Sequence, residues 1–198
     1  MTRSALAGWI AVISALPVSL SAQDADLDWI VQEELQAGRI LVNFGDDQRY
    51  RGHIRAAVLI EATAERVWAI LEDCESAPEF IPNVLACELM ETLEQQNAQI
   101  FRQRVKFAWF LPSFEHKFRL DYEPYTRIDV NRVSGPMEIL DGTWRLVPTA
   151  GSSIILTYDL NFDPGMPIPI FVVGRTLRRD LPVILAAVRD RAEAVSPL

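Results

Sequence analysis

Residues that ligate metals or act as nucleophiles are scarce in this sequence. Its 198 residues include two histidines, His53 and His116, and two cysteines, Cys74 and Cys87. The histidines stand far apart, and the cysteines, 13 residues apart, do not have ligand spacing, so no metal is expected. There is neither a Gly-rich phosphate-cradling motif nor a nucleophile elbow, and no cofactor is expected. Positive charge is also short. Lys and Arg number 19 against 27 Asp and Glu, a formal net charge of −8. An acidic surface repels phosphate backbones, which argues against nucleic acid as a partner. No basic run suits an anionic membrane surface. What is abundant is apolar. With 49% hydrophobic and 23% charged residues, the composition is that of a globular chain, long enough for one domain with a sizeable core.

The first 22 residues read as a unit. Arg3 is followed by a nearly unbroken apolar stretch from Ala5 to Leu20, then by the small residues Ser21 and Ala22, and acidic sequence begins at Asp24. A charged start, a short greasy middle and a small-residue end describe a secretory signal peptide cut before Gln23. The other reading is an uncleaved anchor, for which the stretch is a little under the ~20 residues a spanning helix needs. The mature protein is therefore expected to be exported, periplasmic or secreted. In that setting Cys74 and Cys87 are either a disulfide or two buried thiols.

Hydrophobic periodicity organises the rest. Residues 24–37 read as a short helix stopped by Gly38. Strands are expected near 40–44 and 51–61. A helix capped by Thr63 is expected to end near Asp73, followed by a helical turn between Pro78 and Pro82. Beyond Val84 the period becomes two, with strands expected at about 85–94, 99–110, 115–123, 126–133, 137–147 and 153–162. Hairpin-length turns separate them, which implies an antiparallel meander. Asp141-Gly142 reads as a bulge. The faces sort cleanly. Phe101, Gln103, Val105, Phe107 and Trp109 share one side, as do His116, Phe118, Leu120 and Tyr122, with charged residues between them. Asp121 and Glu123 therefore fall on the face opposite His116, which argues against a local triad. A long helix over 171–194, with Val173, Leu177, Leu181, Leu185 and Val188 on one stripe, is expected to cover the apolar face. At ~1.5 Å per residue it would be about 36 Å long, close to the ~40 Å of a 12-residue strand over 99–110.

The segments Ala62-Thr63-Ala64-Glu65-Arg66-Val67-Trp68, Pro78-Glu79-Phe80-Ile81-Pro82-Asn83-Val84, Gly142-Thr143-Trp144-Arg145-Leu146 and Leu177-Arg178-Arg179-Asp180-Leu181-Pro182 carry a family likeness. Over roughly residues 38–194 the chain resembles the START-like (SRPBCC) superfamily, and within it the polyketide cyclase and coenzyme Q-binding START-domain proteins. The resemblance implies an α+β helix-grip fold, a curved antiparallel sheet wrapped around a long C-terminal helix, with a hydrophobic small molecule held between the two. Residues 23–37 would precede this domain as a helical segment.

Candidate cavity residues follow from the inward faces. They are the aromatics Trp68, Phe80, Phe101, Phe107, Phe118, Trp144 and Phe171, the aliphatics Val105, Leu120, Leu156, Leu177 and Leu181, and the polar Gln103, His116, Tyr122 and Tyr158. Arg132 is a further inward candidate. The polar members could bond a headgroup or one another. Three functions remain open: a carrier for a lipid, isoprenoid quinone or polyketide-like molecule; a cyclase or dehydratase using His116 or Tyr122 as acid or base; or an interaction module with a filled core. The hairpin Trp109-Phe110-Leu111-Pro112 and the link Met166-Pro167-Ile168-Pro169 put apolar residues where polar ones are usual, which suggests lips for transient membrane contact.

Overall fold

Strict alternation along residues 114–123 sets the geometry of the whole sheet. His116, Phe118 and Leu120 are buried, while Lys117, Arg119 and Asp121 between them reach outward. A strand with one apolar and one charged face can serve only as one layer over a core, and the neighbouring strands repeat the pattern. The structure is a computed structural model that describes residues 27–45, 52–106, 108–149, 151–165 and 170–194. Residues 1–30 and 31–198 form separate units. The second unit carries every helix and strand described. The proposed leader and the link 166–169 lie outside the described residues, as do Phe107 and the side chain of Phe171.

Eight strands make one sheet. They are β1 (Leu41–Gly45), β2 (Gly52–Ile60), β3 (Val84–Leu93), β4 (Ala98–Val105), β5 (Phe114–Glu123), β6 (Arg127–Ser134), β7 (Ile139–Pro148) and β8 (Ile154–Asp163). Their spatial order is β1-β2-β8-β7-β6-β5-β4-β3, with every pairing antiparallel. The six-strand meander is as expected. The first two strands close it by pairing β2 along β8, from Gly52 opposite Phe162 to Ile60 opposite Ile154. Helix α1 (Gln32–Gln36) precedes the sheet. Helices α2 (Ala64–Glu72) and α3 (Ala77–Phe80) connect β2 to the opposite edge strand β3, and α4 (Ile170–Glu193) ends the domain. The long helix packs on β2, β1 and α2. Val173, Leu181, Leu185 and Val188 are buried along its inner stripe. This is the helix-grip arrangement.

Several local expectations are corrected. The first helix covers only Gln32–Gln36, because the backbone turns at Leu27–Ile30 before it begins. The strand expected over 99–110 stops at Val105. Lys106 N–H bonds the Asn83 carbonyl at 2.9 Å, and Ala108–Leu111 forms a turn. At ~3.3 Å per residue the strand is about 26 Å long, so the helix overreaches it. Trp109 is consequently not on an inner strand face but is 87% exposed. Asp141-Gly142 pairs in register and is no bulge. The irregularities lie in β3, between Val84 and Ala86 and between Leu89 and Glu91, and in β6, where Val133 is skipped opposite Lys117/Phe118. Arg132 does not point at a ligand. Its guanidinium donates to the Gly135 carbonyl at 2.8 Å and to the Met137 carbonyl, closing the β6–β7 turn.

Candidate cavity between sheet and helix

Between the inner face of the sheet and α4 lies a cavity of about 260 Å³. Its floor is supplied by residues of six strands: Val84 from β3, Gln103 and Val105 from β4, His116, Phe118 and Leu120 from β5, Val130 from β6, Leu140 and Trp144 from β7, and Tyr158 and Leu160 from β8. Its roof is Thr176, Leu177, Asp180, Leu181, Ile184 and Val188 of α4, and α2, α3 and the turn after them supply Leu71, Phe80 and Asn83. Ten of the sequence-derived candidates therefore converge here: Phe80, Gln103, Val105, His116, Phe118, Leu120, Trp144, Tyr158, Leu177 and Leu181.

Four other candidates lie outside the lining. Trp68 packs edge-on against Tyr122 and Tyr125, with ring centroids 5.8 and 5.6 Å apart. The Tyr122 hydroxyl donates to Gln99 Oε1 at 2.8 Å. Phe101 stacks on Phe118 at 5.8 Å, and Leu156 is fully buried in the core. They belong to the packed core or lie against it.

Two backbone devices shape the floor. Trp144 and Tyr158, opposite each other on β7 and β8, stack with centroids 3.9 Å apart. Gly142 makes room for this, because a Cβ there would stand 3.2 Å from the Tyr158 ring and from the Asp159 carbonyl. Gly135, at φ +127°, walls one side of His116, since a Cβ on it would come within 2.6 Å of the His116 Cβ. Glycine is the residue that permits both the dihedral and the approach.

Cys74 lines the cavity and is bonded to Cys87 on β3, with Cα atoms 5.5 Å apart. This ties the α2–α3 connection to the edge of the sheet.

The polar lining is sparse and acidic. Asp180, 5% exposed, is met by the Asn83 amide and by Arg179 Nε at 2.6 Å. Asp73 accepts the Ser76 N–H at 3.2 Å. Burial raises the Tyr158 phenol well above its usual value, with a lesser push from Asp159. Burial also lowers the His116 imidazole to about 4, so it is neutral near pH 7. His116 is 8% exposed, and its Nδ1 has no hydrogen-bond partner. Sequence reasoning missed Asn83, Thr176 and Asp180. Asp180 carried a readable signal, because it falls on the same helix stripe as Leu177 and Leu181 and interrupts an otherwise apolar face.

Beside this cavity runs a wider groove of about 720 Å³, lined by Trp109 and Phe110 and by Val172, Arg175 and Arg179 of α4. Asn83 and Thr176 border both spaces.

The family profile described as polyketide cyclase / dehydrase and lipid transport matches residues 60–189. A Streptomyces cyaneus protein that carries the name polyketide cyclase is 26% identical over 152 residues, 73% of this chain and 96% of that protein. The ribosome association toxin RatA of Pseudomonas aeruginosa is 24% identical over 141 residues, 71% of this chain and 95% of its own length. Among solved structures, a STAR-related lipid transfer protein from Xanthomonas axonopodis superposes with a TM-score of 0.68 at 22% identity, over 77% of this chain and 93% of that one.

Proposed function

Because the chain belongs to the polyketide cyclase / dehydrase and lipid transport family, we propose that it is an exported carrier that binds one hydrophobic small molecule between its sheet and its last helix. The observation that carries this reading is the cavity of about 260 Å³ with a predominantly apolar lining. A dry core would be filled by its own side chains at crystal-like density. The size falls just below the usual ~300–1,000 Å³ range and suits a small ligand. Burying ten methylenes at ~0.8 kcal/mol each contributes roughly 8 kcal/mol before association costs, so micromolar affinity calls for a longer tail or one headgroup bond. A lipid, an isoprenoid quinone or a polyketide-like molecule would meet that description.

The site supports binding better than catalysis. Tyr122 is held by Gln99 away from the lining. An imidazole lowered to about 4 is a weak base, whereas acid–base catalysis favours a value near the working pH. Export fits the charged, apolar and small-residue sequence of the first 22 residues and the Cys74–Cys87 bond, which an oxidising compartment preserves. Entry of a greasy ligand would use the groove beside the cavity. There Trp109 and Phe110, 87% and 60% exposed, could insert among lipid chains while Arg175 and Arg179 meet headgroup phosphates.

Native mass spectrometry of protein purified from its own host tests the carrier reading. A constant mass increment that is lost on organic extraction is expected. Bare protein that also fails to take up any apolar dye would end it.

A further inference from the structure

One fully buried side-chain atom among the lining residues has no hydrogen-bond partner. Buried polar atoms nearly always find a partner, and the two carboxylates of the lining each have one. Asp180 is held by Asn83 and Arg179, and Asp73 by the Ser76 amide. His116 Nδ1 alone is a buried side-chain nitrogen or oxygen without a partner among the described residues. Its neighbour across the β4–β5 ladder is Gln103, whose amide makes only a long 3.9 Å contact to Cys87 Sγ. The Gly135 backbone walls one side of His116. His116 and Gln103 are both lining residues of the cavity.

The charges of the lining narrow what can sit there. No Lys or Arg is among the lining residues, and its only carboxylates are Asp73 and Asp180. A buried carboxylate or phosphate headgroup would find no cation and two like charges. A cationic headgroup would have to compete for Asp180, which already has Asn83 and Arg179. A neutral group remains. The proton of a neutral imidazole can sit on either nitrogen, so its partner must be able to donate or to accept. A hydroxyl does both, whereas an ether or ketone only accepts.

We propose that the bound molecule is an uncharged hydrophobe ending in a hydroxyl, and that this hydroxyl docks on the His116 imidazole beside Gln103. The inference rests on the carrier reading and adds the headgroup class to it. Fatty acids and other anionic amphiphiles are rejected by the same site, however well their chains fit.

The test is displacement of Nile red from the full chain at pH 7.5 by three probes of one chain length: 1-decanol, decanoate and decyl methyl ether. Decanol should bind about ten-fold more tightly than either of the others, the worth of one buried hydrogen bond. His116→Phe should bring decanol down to the level of the ether and leave the ether unchanged, and His116→Gln should restore most of the difference. Decanoate or the ether binding as well as decanol would overturn the proposal, as would a decanol preference that survives in His116→Phe. If Nile red binds and all three probes displace it equally, the headgroup assignment falls while the carrier reading stands. If neither Nile red nor any probe binds, the carrier reading fails and takes this one with it.

Discussion

Protonation of His116 should make this fold lose stability in mildly acidic solution, and the size of the loss can be worked out. In the folded protein burial lowers the imidazole from 6.5 to about 4. In the unfolded chain it returns to an ordinary value. Between those two values the unfolded state binds a proton that the native state refuses, so stability is full above pH 6.5 and drains away as pH falls toward 4. At ~1.4 kcal/mol per pH unit across that window, the loss from pH 7.5 to pH 5 is about 2 kcal/mol. In a domain of this size each kcal/mol moves Tm by ~2–4 °C, so the shift is about 4–8 °C. Thermal melts followed by circular dichroism at both pH values, on wild type and on His116→Phe, isolate this contribution, because every other titrating group is common to the two proteins. Wild type should lose about 4–8 °C more than the variant. Parallel losses would show that His116 is not held neutral and would remove the electrostatic basis for its environment.

Four further outcomes are expected. Replacing Trp109 and Phe110 by Ser should slow transfer of a fluorescent lipid between vesicles containing phosphatidylglycerol while leaving Tm unchanged, since both side chains are exposed; transfer at the wild-type rate would dismiss the hairpin as a membrane lip. Non-reducing peptide mapping should recover Cys74 linked to Cys87, and Cys74→Ser should cost roughly 3 kcal/mol in denaturant titration, the entropy of a loop this short. Leu181, buried on the inner face of α4, should cost ~2–5 kcal/mol on change to Ala, read as a lower urea midpoint with an unchanged slope. Mass analysis of periplasmic protein should find a chain beginning near Gln23, and a chain retaining Arg3 would contradict export by cleavage.

The sheet was legible because its faces differ so sharply. Phe118 and Leu120 inward against Lys117 and Arg119 outward leave only one register that buries the apolar set. The stripe through Val173, Leu181 and Val188 likewise left one way for α4 to lie. Strand ends were less legible. Val105 to Trp109 keeps a period of two in sequence, but Lys106 pairs with the Asn83 carbonyl instead of continuing the ladder. That is a tertiary contact which no local pattern announces. The assumed bulge at Gly142 failed for a related reason. The glycine answers to the Tyr158 ring packed over it rather than to a break in pairing.

The limit of pattern reading falls at the site itself. Alternation says that Phe101, Tyr122 and Phe118 all face inward, but only Phe118 of these meets empty space. Which inward residues pack and which line a cavity depends on the height at which α4 crosses the sheet. Asn83 and Asp180 take part in that placement. The amide of a turn residue at φ +67° reaches a carboxylate on the long helix, joining the connection that leads into β3 to the roof of the cavity. A polar clasp of this kind holds the helix at the cavity's edge without filling the space beneath it, and Leu177 and Leu181 on the same stripe then become lining. An apolar pair in place of Asn83 and Asp180 would pack at that edge and draw the helix toward the sheet. The one buried charged residue on the helix stripe is therefore where this chain keeps its core from closing.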